Sequence, residues 1–204
     1  MKKDYRDAAQ KKHLRLLIQK SLEGQFKDIN QNLIERCVKG DKKAQFELYK
    51  KYAGAMYNTS YGILKNSAEA EDAMQEGFLK AFLHINTYSG TVSFGSWLKK
   101  IIINTSLDAL RKNKIEFENF EDIKHPGSEE IGIDEESITN YKVEQVKKAI
   151  GLLPDGYRIV LSLYLLEGYD HDEIAEITGI SASTSRSQLV RAKKKLLELL
   201  IANS

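Results

Sequence analysis

The chain has little of the material from which disulfide scaffolds, zinc sites and membrane spans are built. The single cysteine, Cys37, cannot form an internal disulfide, and the four histidines have no spacing that suits a metal site. No segment approaches the ~18 uninterrupted apolar residues of a membrane span, and the first apolar cluster, residues 14–18, lacks a cleavage-site pattern. The sequence therefore predicts a cytoplasmic protein with no membrane insertion, no metal and no cofactor.

Proline is also scarce, with only Pro126 and Pro154 in 204 residues. Between the glycine and asparagine breaks, apolar residues recur at helical spacing and not in alternation. We therefore expect an all-α protein with two helical domains, a four-helix domain followed by a helix-turn-helix domain. The predicted helices cover residues 30–38, 41–64, 67–86 and 94–112, with Ser67 as an N-cap, and then 141–153, 155–166, 172–178 and 182–201.

Charge is unevenly distributed, although the net charge is only +2. Residues 115–136 hold nine acidic residues and one basic residue, and the composition of this segment is that of a linker. Two basic stretches, 94–114 and 186–195, lie on either side of it and favour a polyanionic partner. The predicted divisions are a basic N-terminal extension (1–24), a first helical domain (25–113), an acidic linker (114–138) and a second helical domain (139–204).

The segment from Asp172 to Lys193 has the layout of a helix-turn-helix, with a short helix, a turn centred on Gly179 and a longer helix. Steps of ~100° per residue place an apolar side of the last helix opposite a basic, hydroxyl-rich face. Such a face suits phosphates and base edges in the major groove. The face comprises Ser183, Arg186, Ser187, Val190, Arg191 and Lys194.

Two stretches in this order resemble the extracytoplasmic function (ECF) sigma factors, the two-domain promoter-recognition subunits of bacterial RNA polymerase. AEDAMQEGFLKAF at 70–82, FGSWLKKI at 94–101 and NTSLDALR at 104–111 resemble region 2. LPDGYR at 153–158, the Glu167-Gly168 pair, EIAEI at 173–177 and the helix-turn-helix resemble region 4. The resemblance covers roughly residues 28–112 and 141–200 and implies an all-α, non-enzymatic protein.

The resemblance to region 2 implies two kinds of contact. The third helix would dock on the polymerase clamp through Asp72, Gln75, Glu76, Leu79 and Leu83. The loop from Asn86 to Ser93 would hold a base flipped from the −10 element, using Tyr88, Ser89 and Thr91. The DNA backbone would follow a path lined by Lys99, Lys100, Asn104, Arg111 and Lys112.

The resemblance to region 4 implies contact with the −35 element. Bases would face Arg186, Ser187 and Val190, and the DNA backbone would face Thr184, Gln188, Arg191 and Lys194. Two positions depart from the family pattern, because Ser185 replaces an aliphatic residue and Gln188 replaces a basic one. We therefore expect a weaker core at Ser185 and one phosphate contact fewer.

The function predicted from the sequence is that of an ECF sigma factor. Its partners would be core RNA polymerase, at the clamp and flap, and promoter DNA, with an anti-sigma factor as a further partner that the resemblance allows. The acidic linker would be repelled by DNA and would follow a basic polymerase channel. Two alternatives are a stand-alone helix-turn-helix regulator and an adaptor that binds only proteins, and dependence on core polymerase distinguishes all three.

Overall fold

The computed structural model describes residues 30–113 and 143–202, and within these ranges the regular structure is helical, with no strand. This confirms the predicted all-α class with two helical domains. In the same two ranges, no helix has the length and apolar character needed to cross a membrane. The predicted N-terminal extension and the whole of the predicted acidic linker lie outside the described residues.

The first domain contains four helices and a short turn of 3-10 helix. The helices are α1 (Gln31–Val38), α2 (Lys42–Leu64), α3 (Ser67–Leu83) and α4 (Phe94–Asn113), and the 3-10 turn covers Ile85–Thr87. Asp41 caps α2 by accepting hydrogen bonds from the backbone N–H groups of Lys43 and Ala44. The predicted N-cap Ser67 is wrong, because Asn66 accepts the capping hydrogen bonds and Ser67 is the first helical residue.

The core of this domain lies where α3 and α4 approach closely over α2. Phe94, Leu98 and Ile102 of α4 are fully buried, as is Leu48 of α2. A Cβ at Gly77 of α3 would clash with Cδ1 of Ile102 and would lie 3.4 Å from its Cα. Glycine at this position therefore allows α3 and α4 to pack closely. The close packing fixes the orientation of α3 about its axis, and so determines which side chains its opposite face exposes.

The second domain begins with α5 (Val143–Gly151) and α6 (Asp155–Leu161), which continues into a π-helical turn over Ser162–Leu166. The helices α7 (His171–Thr178) and α8 (Ala182–Ala202) complete the domain. Asp170 and Glu173 form a capping box at the start of α7, and Gly179 ends that helix with a φ of 82°. Because this left-handed conformation suits glycine, the predicted turn of the helix-turn-helix is confirmed at Gly179.

The two domains pack against each other. One hydrophobic cluster continues from Ile63, Ile103 and Leu107 of the first domain to Ile159 and Val160 of the second. The four-helix core around Leu48 and Phe78 forms a separate cluster. The contact between the domains is therefore an extension of the second domain's core and not of the first domain's.

Candidate polymerase and nucleic-acid interfaces

The five residues predicted to face the polymerase clamp form one exposed stripe along α3, which we call the α3 stripe. All five side chains are exposed, and the two leucines are exposed by 64% (Leu79) and 77% (Leu83). Glu76 forms a salt bridge of 2.8 Å with Lys80, and the hydrogen bond from Lys80, together with the lysine's charge, lowers the pKa of the Glu76 carboxyl below its usual value. The core contacts of α3 are made by its other face, which buries Met74, Phe78 and Ala81. The α3 stripe is therefore free to bind a partner.

A groove beside the α3 stripe adds a residue that sequence analysis missed. Phe46 of α2 is 59% exposed and lines this groove. The signal was present in the sequence, since Phe46 lies two positions from the buried Ala44 and Leu48 and so points away from the core. The groove is also lined by Tyr49, Gln75, Phe78, Leu79 and Phe82.

The loop between α3 and α4 is shaped by Tyr88. The ring of Tyr88 packs against Phe94 and Trp97, with centroids 5.6 Å and 5.5 Å apart, and its hydroxyl donates to the carbonyl of Val92 at 2.8 Å. The hydroxyls of Ser89 and Thr91 are exposed and lie 3.0 Å apart. Tyr88 therefore supports the loop from beneath, while the two hydroxyls are accessible at its tip.

A shallow hollow separates this loop from α1. It is lined on the loop side by Tyr88, Ser89 and Gly90 and on the α1 side by Ile34, Val38 and other residues. Its walls combine an aromatic edge, aliphatic side chains and hydroxyl groups. A hollow with these walls offers both stacking and hydrogen bonds to a planar, polar-edged group such as a nucleobase.

The predicted DNA-backbone groups of α4 fall into two sets, which are exposed residues and residues that contact the second domain. Asn104 and Lys112 are exposed. Lys99, Lys100 and Arg111 contact the second domain, with Lys99 Nζ 2.7 Å from Glu167 Oε2 and Lys100 Nζ 3.1 Å from Glu176 Oε1. Arg111 Nη2 donates to the carbonyl of Thr178 at 3.5 Å.

The predicted DNA-reading face of α8 is largely accessible. The side chains of Ser183, Arg186, Val190 and Lys194 are exposed, and those of Thr184, Ser187 and Arg191 are half-buried. The opposite side buries Leu189, Ala192 and Leu196. Gln188 differs from these residues, because its Oε1 is buried and its side chain lines a cavity between the domains.

Ser185, which departs from the family pattern, has a polar partner in the core of the helix-turn-helix. It is fully buried, and its hydroxyl lies 2.9 Å from Nδ1 of His171 at the start of α7. The imidazole stacks on Tyr164 with ring centroids 4.8 Å apart. Burial, and secondly the charge of Arg186, lower the pKa of His171. The expected loss of apolar contact at Ser185 is thus offset by a hydrogen bond that joins α7 to α8.

This pair makes a pH-dependent contribution to stability. Because folding lowers the pKa of His171, the unfolded chain binds the proton more readily, and stability should fall as the pH drops below about 6.5, the ordinary histidine value. His171→Gln cannot take up the proton and should lose less stability than the wild type on acidification. Urea denaturation of both proteins on each side of that pH tests this, and parallel losses would contradict it.

Comparison with known families agrees with this arrangement of two helical modules. Sigma-70 region 2 matches residues 48–115, and Sigma-70 region 4 matches residues 143–196. The fold and the two modules in this order define a sigma factor of the sigma-70 class.

Individual relatives specify the family within that class. The ECF RNA polymerase sigma factor SigW of Bacillus subtilis is 28% identical over 80% of this chain and 92% of its own length. The ECF RNA polymerase sigma-E factor of Escherichia coli is 30% identical over 82% of this chain and 92% of its own length. The chain therefore belongs to the family of ECF RNA polymerase sigma factors.

A solved structure supports the same fold. It is the complex of the sigma factor RpoE with the anti-sigma factor NepR from Bartonella quintana, in which the matched chain is 20% identical. The match covers 78% of this chain and 97% of that one, with a TM-score of 0.53.

Proposed function

We propose that this sigma factor acts in the cytoplasm, where it binds core RNA polymerase through the first domain, reads −35 and −10 promoter elements and nucleates melting at the latter. In this proposal, residues 25–113 form the polymerase-binding and −10 domain, and residues 139–204 form the −35 domain. The observation that carries the proposal is the α3 stripe. The core contacts of α3 are complete without these leucines, so their exposure favours a protein partner. A regulator that acts without polymerase does not require such a partner surface.

The α3 stripe and the adjacent groove suit a helical partner. Leu79 and Leu83 are four positions apart, so they lie on the same face of α3, and Phe46 lines the groove together with Leu79. Exposed apolar side chains surrounded by Asp72, Gln75 and Glu76 form the pattern of an apolar centre with a polar rim. We propose that this surface binds the polymerase clamp.

The second domain supports the assignment of the −35 contact. Arg186 and Val190 are exposed on one face of α8, where a guanidinium and an aliphatic group can reach base edges in the major groove. Lys194 is exposed further along the helix, where a lysine can contact a phosphate without reading sequence. The hydrogen bond between Ser185 and His171 holds α8 against α7 and so fixes the direction of this face.

Exposed apolar side chains on either side of α6 support a further polymerase contact. Leu152, Leu165 and Leu166 of the second domain are exposed by 61%, 43% and 62%. We propose that the polymerase flap binds the second domain. The Bartonella quintana relative was solved with an anti-sigma factor, and we propose that a protein of that class also binds this chain.

The experiment that tests the proposed function measures binding to core RNA polymerase. Leu79→Ala with Leu83→Ala should weaken binding at least about tenfold, because each leucine loses an apolar contact of roughly 1 kcal/mol or more at the centre of the interface. The fold should be unaffected, since both side chains are exposed. Fluorescence anisotropy of the labelled protein titrated with core polymerase gives the affinity.

Ile201→Ala is the matched control, because Ile201 is 63% exposed and lies at the end of α8, away from the α3 stripe. Its affinity for core polymerase should equal that of the wild type. A wild-type chain that fails to bind core polymerase would refute the proposed function and favour a regulator or adaptor. Equal affinity of the double variant and the control would refute the α3 stripe as the binding surface.

A further inference from the structure

The hollow between α1 and the loop that precedes α4 has two unlike walls. The loop wall carries side chains that the sequence predicts to hold a flipped −10 base. The α1 wall was not predicted, and it consists of Gln31, Ile34, Glu35, Val38 and Lys39. The hollow has a volume of about 370 Å³, which lies in the range of pockets for small molecules. A base held there would therefore meet side chains of α1 as well as those of the loop.

The side chains of the loop wall do not distinguish a base with an amino group from a base with a keto group. The hydroxyl of Tyr88 is engaged with the carbonyl of Val92, and its ring offers a stacking contact that every base can make. The hydroxyls of Ser89 and Thr91 lie 3.0 Å apart, and a hydroxyl group both donates and accepts hydrogen bonds. These side chains can therefore hold a base without selecting it.

Glu35 of α1 differs from these groups, because an ionised carboxylate accepts hydrogen bonds and cannot donate them. Its side chain is exposed, and Gln31, one turn earlier, donates from Nε2 to Glu35 Oε1 at 3.0 Å. This hydrogen bond orients the carboxylate and uses one of its two oxygens. Among the described residues that line the hollow, Glu35 is the one whose side chain requires a donor from the base.

A carboxylate in this position selects between bases. Cytosine and adenine present an exocyclic amino group, which donates to a carboxylate, whereas thymine and guanine present a keto oxygen at the equivalent place. A carboxylate also repels the phosphates of a DNA strand, so it lowers affinity unless it accepts a hydrogen bond from a base. Lys39, the exposed residue that follows α1, can offset this repulsion by binding a phosphate, and that contact carries no base preference.

We propose that Glu35 is a specificity-determining residue of the −10 interface and selects a flipped base that bears an exocyclic amino group, cytosine or adenine. The inference rests on the proposed function, which assigns a flipped base to the loop. It adds a wall from α1 to that contact. The loop holds the base, and Glu35 of α1 determines which bases are accepted.

The experiment measures base preference at each position of the −10 element. Promoters selected from a random duplex library, by the wild-type chain assembled on core RNA polymerase, define that element. Forked templates that are single-stranded across the element then carry each of the four bases in turn at each non-template position. Fluorescence anisotropy gives the affinity of each assembled polymerase for each template. At one position, the wild type should prefer cytosine or adenine to thymine and guanine at least about fivefold.

Glu35→Gln should reduce this preference to about twofold or less, because an amide accepts from an amino group and also donates to a keto oxygen. Preferences at the other positions should not change. The fold should be unaffected, since the side chain is exposed and glutamine can still accept from Gln31. The matched control is Glu47→Gln, which removes the same charge from an exposed position of α2 outside the hollow. The control should keep the wild-type preference at every position.

An unchanged pattern of base preference in Glu35→Gln would overturn the inference. An equal gain in affinity for all four bases would also overturn it, because Glu35 would then only repel the phosphates. A wild-type preference for thymine or guanine, at the position that Glu35→Gln alters, would overturn the selection of an amino group. Failure of the wild type to bind core RNA polymerase, or to show any −10 preference, would instead refute the proposed function.

Discussion

Replacing Arg158 with methionine should lower the free energy of unfolding by about 3–5 kcal/mol, the cost of removing one partner from a buried ion pair. Arg158 is 1% exposed and is the largest fully buried side chain among the described residues. Its guanidinium forms an ion pair of 2.5 Å with Asp155. Methionine would fill a similar volume but would leave this carboxylate without its cation.

Arg158 also connects the two domains. It donates to the carbonyls of Gly62 at 3.3 Å and Ile63 at 2.5 Å, in the last turn of α2. Carbonyls there have no partner within the helix, and a cation is favourable at this end of its dipole. Burial lowers the pKa of Arg158 to about 10, so the guanidinium remains charged at neutral pH.

Urea denaturation followed by circular dichroism measures the loss. The matched control is Arg36→Met, because Arg36 also pairs with an aspartate, Asp41 at 2.7 Å, but is 40% exposed. An exposed pair contributes about 1 kcal/mol or less, so the control should lose far less than Arg158→Met. Equal losses in the two variants would show that the buried contacts of Arg158 do not stabilise the fold.

Local features of the fold follow from the sequence because they depend on near neighbours. Gly179 ends α7 as its spacing predicts, and the exposed α3 stripe follows from the helical period around the buried Phe78. The continuous helix predicted over 155–166 is correct up to Leu161. Beyond it, the N–H of Glu167 bonds to the carbonyl of Ser162, five residues back, a shift in hydrogen bonding that apolar periodicity does not reveal.

Contacts between residues distant in the chain were not predicted. Glu167 and Thr59 are 108 residues apart, and nothing in the sequence around either residue predicts the hydrogen bond between them. His171 and Ser185 are only 14 residues apart, yet their hydrogen bond depends on how α7 crosses α8. The sequence therefore predicts which groups a helix exposes, whereas the partners of those groups depend on the packing of helices and domains.

The loop at the start of α4 should decide whether the promoter opens. Ser89→Ala with Thr91→Ala removes two exposed hydroxyls and retains Tyr88, whose ring supports the loop. We expect these hydroxyls to hold an extruded −10 base, and each hydrogen bond contributes about 0.5–1.5 kcal/mol. Their loss should lower the fraction of open promoter about tenfold or more, since extrusion costs a few kcal/mol.

Permanganate footprinting of thymines, with the variant assembled on core polymerase, measures this opening. Binding to polymerase and to the closed promoter should persist, because the α3 stripe and the exposed cations of α8 are unchanged. A template with mismatches at the −10 element already lacks the pairing energy, so the variant should open it more nearly as the wild type does. Normal opening of the fully paired promoter by the variant would refute the loop assignment, whereas failure on both templates would indicate a general defect in assembly.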